Sequence, residues 1–245
     1  MWLLYCVFQT KIAEVDVPQG VEGNPVMVVC SNGLGAAVSE ISPSALSPTI
    51  RMLAAYERVV EAFHRHHAVI PMRYGSTCET RGQALQLLKD RGEEYRALLD
   101  KLGDCIEMGI RVLLPPAPRR TGSPGDAAVA GVSPSGRAYL AAQRERYATQ
   151  NRAAAEQERL VEAIRTSLGG LFVHSRSESS SCYGGRLVSL YFLLPRNRVE
   201  PLRQAFRDLS VSDSAKLLLT GPWPPYNFVL ANGNQKEEGG YESEG

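Results

Sequence analysis

Side chains able to do chemistry are few in this chain and poorly grouped. His64, His66 and His67 form its one histidine cluster. On a helix, His64 and His67 would share a face and could grip a metal between them, while His66 points elsewhere. No cysteine or acidic residue stands at complementary ligand spacing on that face, and Glu57 and Glu61 are at best helical neighbours of His64. Cationic side chains at a helix end, where they suit the dipole, explain the cluster better. Cys78 falls in a loop, and no histidine is placed by the sequence to activate it as a nucleophile. His174 is isolated and reads as a strand-end residue. Gly33-x-Gly35 and Gly184-Gly185 meet neither the dinucleotide nor the P-loop pattern. A Gly-x-Ser-x-Gly elbow is missing, and Glu93-Glu94 belongs to a solvated helix. The sequence names no catalytic, cofactor-binding or metal-binding residue; the expectation is a non-enzyme without a cofactor.

Two segments suit contact rather than catalysis. Arg73-Tyr74-Gly75 places an arginine between an apolar strand and a glycine turn, where it can clamp a carboxylate of the same chain or of a partner. Gly221-Pro222-Trp223-Pro224-Pro225-Tyr226-Asn227-Phe228 follows the apolar run Lys216 to Leu219. Proline fixes φ and removes a donor, so this segment is expected to end the strand at the glycine and to form a stiff, aromatic, extended platform. A proline-stiffened cap over a sheet edge is one reading, a docking surface the other. Arg73, Tyr74, Trp223, Pro224, Pro225 and Tyr226 are the candidate partner contacts.

Composition sets the wider frame. The chain has 245 residues, 44% of them hydrophobic and 22% charged, which fits a globular protein with a sizeable core. With 27 basic and 26 acidic side chains the net charge is +1, so there is no overall basic field for nucleic acid or an anionic membrane. The five scattered cysteines form no Cys-x-x-Cys pair and no disulfide framework. Met1 to Phe8 is apolar but short, lacks a basic leader, and reads as a first strand. No stretch approaches the length of a membrane span, and an intracellular location is expected.

Periodicity supplies the elements. Strand 2–9 precedes a hairpin of 25–30 and 34–40 turning at Ser31-Asn32-Gly33. Helix 49–67 carries Ile50, Leu53, Tyr56, Val60, Phe63 and His67 at helical spacing. Residues 81–102 read as helical with a weak point at Gly92. From Cys105 the order is strand 105–114, a Pro/Gly linker over 115–135, helix 136–168, strand 171–174, a serine-rich loop 175–185, strand 186–194, helix 199–209 and strand 214–219. That is the split βαβ, ferredoxin-like order. The fold class is therefore α+β in two domains: residues 1–104, and a modified ferredoxin-like βαββαβ domain over 105–245 that ends in the Gly-Pro-Trp-Pro-Pro-Tyr segment. The mixed charge of helix 136–168 indicates a solvated face, and its length suits either a projecting part that binds another protein or a longer packing surface within the domain.

Three stretches carry a family resemblance: Leu4-Tyr5-Cys6-Val7-Phe8; Tyr56-Glu57-Arg58-Val59-Val60-Glu61 through His67-Ala68-Val69-Ile70-Pro71-Met72-Arg73-Tyr74-Gly75; and Leu219 through Phe228. Together they resemble the gas vesicle protein family GvpL/GvpF, from residue 3 to about residue 230. The resemblance implies two α+β domains, the second a modified ferredoxin fold. It implies an accessory or minor structural protein that binds the major gas vesicle shell protein during nucleation and assembly, limiting its aggregation. Partners would be that protein and other gas vesicle accessory proteins, with no nucleic acid and no lipid membrane. The location would be the gas-facing side of the vesicle, reached from the cytoplasm. A rival from another class is an enzyme or small-ligand-binding regulator using the ferredoxin-like sheet, with a deep pocket lined by His174, Arg186 and acidic groups.

Overall fold

A computed structural model describes residues 1–10, 15–115, 136–182, 185–209, 215–229 and 238–239. Its architecture is mixed α+β, with two antiparallel sheets and helices packed on both.

The first sheet is built on β1 (Trp2–Gln9), which is buried along nearly its whole length. Strands run in the order β2 (Met27–Ser31), β3 (Leu34–Glu40), β1, β4 (Val69–Pro71), and the short β5 (Thr77–Cys78) pairs with the start of β1. Asn32 and Gly33 turn the β2–β3 hairpin with φ of 48° and 78°, the doubly left-handed turn whose twist matches its strands. A bulge between Leu4 and Cys6 resets the alternation of β1. Leu3, Tyr5, Cys6 and Phe8 consequently share one cluster with Tyr56, Val59, Val60 and Phe63 of α1 (Ile50–His64). Leu4 and Val7 join the opposite cluster with Leu88 of α2 (Arg81–Asp90) and Tyr95, Leu99 and Leu102 of α3 (Gly92–Leu102). Both faces of β1 are thus covered by helices, which is why it reads as a continuous apolar run. Helix α1 stops at His64, short of the expected residue 67, and the 81–102 helix divides at Arg91.

The second sheet runs β7 (His174–Cys182), β8 (Gly185–Pro195), β6 (Cys105–Leu114), β9 (Lys216–Trp223), all neighbours antiparallel, with a two-residue pairing of Glu238–Gly239 on the outer side of β7. Ile106, Met108, Ile110 and Val112 of β6 and Val188, Leu190, Phe192 and Leu194 of β8 form one apolar face. On it sit Ile164 of α4 (Gly136–Ser167) and Leu202 of α5 (Val199–Arg207). Residues 116–135 of the expected linker lie outside the described residues.

Two expectations are corrected here. The strand expected at 171–174 begins instead at His174 and runs through the serines expected to form a loop. Serine has modest strand preference, but every residue from His174 to Cys182 pairs with β8, and that ladder overrides local propensity. Strand β9 also does not stop at Gly221; it continues through Pro222 to Trp223. Its place at the sheet edge tolerates a residue without a donor. Gly221 is required there: φ is 108°, and a Cβ would lie 2.8 Å from the Glu107 carbonyl oxygen.

Candidate functional site

The two segments singled out from the sequence converge on α1. Tyr56 donates its hydroxyl to the Met72 carbonyl at 2.6 Å, and the Met72 amide donates to the Tyr5 carbonyl at 2.9 Å. The chain leaving β4 is therefore fixed one residue before Arg73. Ser76 N–H then closes a turn onto the Arg73 carbonyl at 3.0 Å, with Gly75 at φ 88°. Tyr74 folds inward, its ring edge-on to Tyr56 at 5.2 Å and its hydroxyl donating to the Ala45 carbonyl at 2.8 Å. Arg73 is left exposed and makes no ion pair among the described residues. No carboxylate of this chain is clamped by it in the described structure.

The C-terminal segment spans the two sheets. Trp223 remains 47% exposed, whereas Pro224 and Pro225 are buried. Tyr226 packs against the α1 cluster, and its hydroxyl sits beside the Glu57 carboxylate without reaching hydrogen-bond geometry. Burial raises the pKa of Tyr226 far above its ordinary value, and partial desolvation raises that of Glu57. The next residue is locked to the second sheet. Asn227 donates its backbone N–H to Glu107 Oε2 at 2.9 Å and its side-chain amide to Oε1 at 2.6 Å. Its carbonyl accepts from Arg176 at 2.7 Å, and that guanidinium also lies over the Phe228 ring at 5.6 Å.

Glu107 is the anchor of this arrangement. It is 3% exposed, on the sheet face opposite α4 and α5. Burial pushes its pKa up to about 7, although the two Asn227 donors and the charges of Arg111 and Arg176 all pull it down. Sequence reasoning passed over it as one polar residue in an apolar strand. A carboxylate in a continuous apolar strand, on the face opposite Ile106, Met108 and Ile110, was the available signal, since a buried carboxylate demands partners.

His64, His67 and Cys6 are buried by packing, whereas His66 and Cys30 are exposed. Arg196, at the end of β8, donates to the His64 carbonyl, approaches His64 Nδ1 at 3.3 Å and pairs with Asp104 at 2.5 Å. Burial and then the Arg196 charge lower the His64 pKa to about 4. His67 is buried with its ring stacked near Phe8 at 5.9 Å. Burial raises the Cys78 thiol, the direction opposite to activation. His174 lines a crevice of about 20 Å³ with Lys101, Leu102, Arg176, Leu193 and Phe228, room for a water at most. Arg186 pairs with Ser181 at the far end of the β7–β8 hairpin, so the two residues suggested for a ligand pocket are not brought together. No described helix is long and apolar enough to cross a membrane.

Comparisons with known proteins agree across the chain. Residues 1–230 match the family described as gas vesicle synthesis protein GvpL/GvpF. Gas vesicle protein F of Streptomyces sp. (strain CB03234) is 28% identical over 225 residues, covering 87% of this chain and 90% of its own. Gas vesicle protein L1 of Halobacterium salinarum is 26% identical over 250 residues, covering 92% and 89%. The crystal structure of GvpF from Anabaena sp. PCC7120 superposes with a TM-score of 0.76 at 16% identity, covering 95% of this chain and 97% of that one. GvpF from Microcystis aeruginosa gives 0.73 at 18% identity, covering 94% and 99%.

Proposed function

The chain belongs to the GvpL/GvpF family of gas vesicle proteins, with a non-enzymatic accessory or structural role, and from that premise we propose that it binds the major shell protein during nucleation and assembly. Its task is to cover an aggregation-prone apolar subunit until that subunit is incorporated. It meets the shell protein in the cytoplasm and ends at the gas-facing side of the vesicle, alongside other accessory proteins. The family match over residues 1–230 carries this reading. The site geometry supports it, because the buried Glu107 and Arg196 bind other segments of the chain rather than framing a ligand pocket.

We read residues 1–104 and 105–245 as two domains, the second ferredoxin-like. The order strand, helix, strand, strand, helix, strand and the sheet order β7-β8-β6-β9 support that reading. Arg73 and Trp223 are the proposed contacts, and Tyr74, Pro224, Pro225 and Tyr226 hold them in place.

Coexpression of the full chain with the major shell protein, followed by pull-down from the soluble fraction, tests the role. Retention of soluble shell protein is expected, reduced at least several-fold by Arg73→Ala or Trp223→Ala. Shell protein that stays soluble yet is never retained by the wild-type chain would refute direct binding. Retention unchanged by both folded variants would remove these two residues from the interface.

A further inference from the structure

Helix α4 carries an apolar line that the described fold covers at one end only. Leu140, Tyr147, Ala154 and Val161 recur every seven residues. Val161 packs with Leu160 against the cluster of the second sheet, in which Ile164 is fully buried. Toward the helix start the line turns to water: Leu140 is 59% and Tyr147 57% exposed, and Ala154 is exposed as well. A seven-residue spacing slips about 20° per repeat on a straight helix, so the line winds off the sheet as it runs back to Leu140.

Charge along this line is graded. At about 100° per residue, positions Arg137, Arg144, Asn151, Glu158 and Glu162 fall within about 70° of the direction midway between Leu140 and Tyr147. The basic positions stand in the first half, the acidic ones in the second, and Asn151 lies between them. The other charged positions do not disturb the gradient. Glu145, Arg146, Arg152, Glu156 and Arg159 fall more than about 100° from that direction. Arg165 lies on it but is turned to the Ser177 hydroxyl at 3.3 Å.

We propose that this line is the seam of a homodimer, in which α4 of a second copy lies antiparallel against it and crosses at Asn151. Charge complementarity selects both the occupant and its direction. Run antiparallel, Arg144 meets Glu158 of the partner subunit, and the twofold axis makes the same pair again; run parallel, like charges would face each other. The same register sets Tyr147 against the small side chains of Ala154 and Ala155 of the partner subunit, and Leu140 beside the partner's Val161. Asn151 meets Asn151 of the partner subunit on the axis, a polar pair that fixes register. From Leu140 to Glu162 the seam is about 33 Å long at 1.5 Å per residue. Leu140 and Tyr147 thereby serve association, and the stability of the single chain does not rest on them.

Sedimentation velocity of the purified full chain, from about 1 to about 200 µM, reads the monomer–dimer equilibrium. No shell protein is present, so the outcome does not depend on the assembly role. The variants are Leu140→Gln/Tyr147→Gln, Arg144→Glu and the charge swap Arg144→Glu/Glu158→Arg, with Leu218→Ser on β9 as a control. All five positions face solvent, and circular dichroism verifies the folds. The apolar pair is expected to weaken dimerisation at least about tenfold and Arg144→Glu about threefold or more, with Leu218→Ser unchanged. The charge swap is expected to return most of what Arg144→Glu loses. A wild type that stays monomeric throughout, or a dimer indifferent to Leu140→Gln/Tyr147→Gln, overturns the seam. A dimer that Arg144→Glu leaves unaltered, or that the swap fails to restore, overturns the antiparallel register.

Discussion

Two buried ionisable residues set opposite demands on pH. Glu107 has a folded pKa of about 7, above the ordinary carboxylate value near 4.5. Between these values the folded state holds a proton that the unfolded state has lost, so the contribution is fully present below about pH 4.5 and is lost as pH rises through about 7. His64 behaves inversely. Its folded pKa of about 4 lies below its ordinary 6.5, so its contribution is present above pH 6.5 and lost as pH falls toward 4. The two slopes oppose each other from about pH 4.5 to 6.5, and each amounts to a few kcal/mol, on the order of 3. Relative to wild type, Glu107→Gln should make stability climb more steeply with pH in this window, and His64→Phe should make it climb less steeply or fall. Denaturant unfolding at pH 5 and pH 7 measures both, and identical slopes for all three proteins would contradict the assignment.

At the level of elements, α4 is 32 residues long, so it extends about 48 Å at 1.5 Å per residue. Its last turns pack on the second sheet. Ile164 is fully buried and Gln157 donates to Ser179 at 2.7 Å, while Leu140 and Tyr147 near the other end stand exposed. Ile164→Ala should therefore cost about 2–5 kcal/mol, and Leu140→Ala less than about 0.5. Comparable losses in thermal or denaturant unfolding would show that the exposed half also packs. Much of this organisation was legible in the sequence, because β1, α1, β6 and β8 announce themselves by unbroken apolar runs or helical spacing. The serine strand β7 was not, since its residues are fixed by pairing to β8 rather than by their own preference. The candidate site was half legible. Rigidity of the Trp223 segment follows from its prolines, but its seat between the sheets depends on Glu107, whose partner is 120 residues away.

For the molecule as a whole, the two sheets behave as one packed body. Leu193, Cys105, Phe228 and Val229 share a cluster with Leu4, Leu88 and Leu99 of the first sheet and its helices. Arg196 adds a polar clamp across the same boundary. Its pair with Asp104 is solvent-facing and contributes little, whereas its bond to the His64 carbonyl serves a buried helix end. Arg196→Ala should cost about 1.5–3 kcal/mol and Asp104→Ala less than about 1. Equilibrium unfolding of the two variants distinguishes them, and equal costs would assign the clamp to the ion pair instead.

The bond between Asn227 and Glu107 also places the fold on a clock. A ribosome adds about 5–20 residues each second, so the 120 residues between these partners take about 6–24 s to make. Throughout that interval the strand carrying Glu107 has already been synthesised, its carboxylate still hydrated and the α1 cluster still without Tyr226. Pro224, Pro225 and Tyr226 therefore reach their places only after strands β1 to β9 of both sheets have been made.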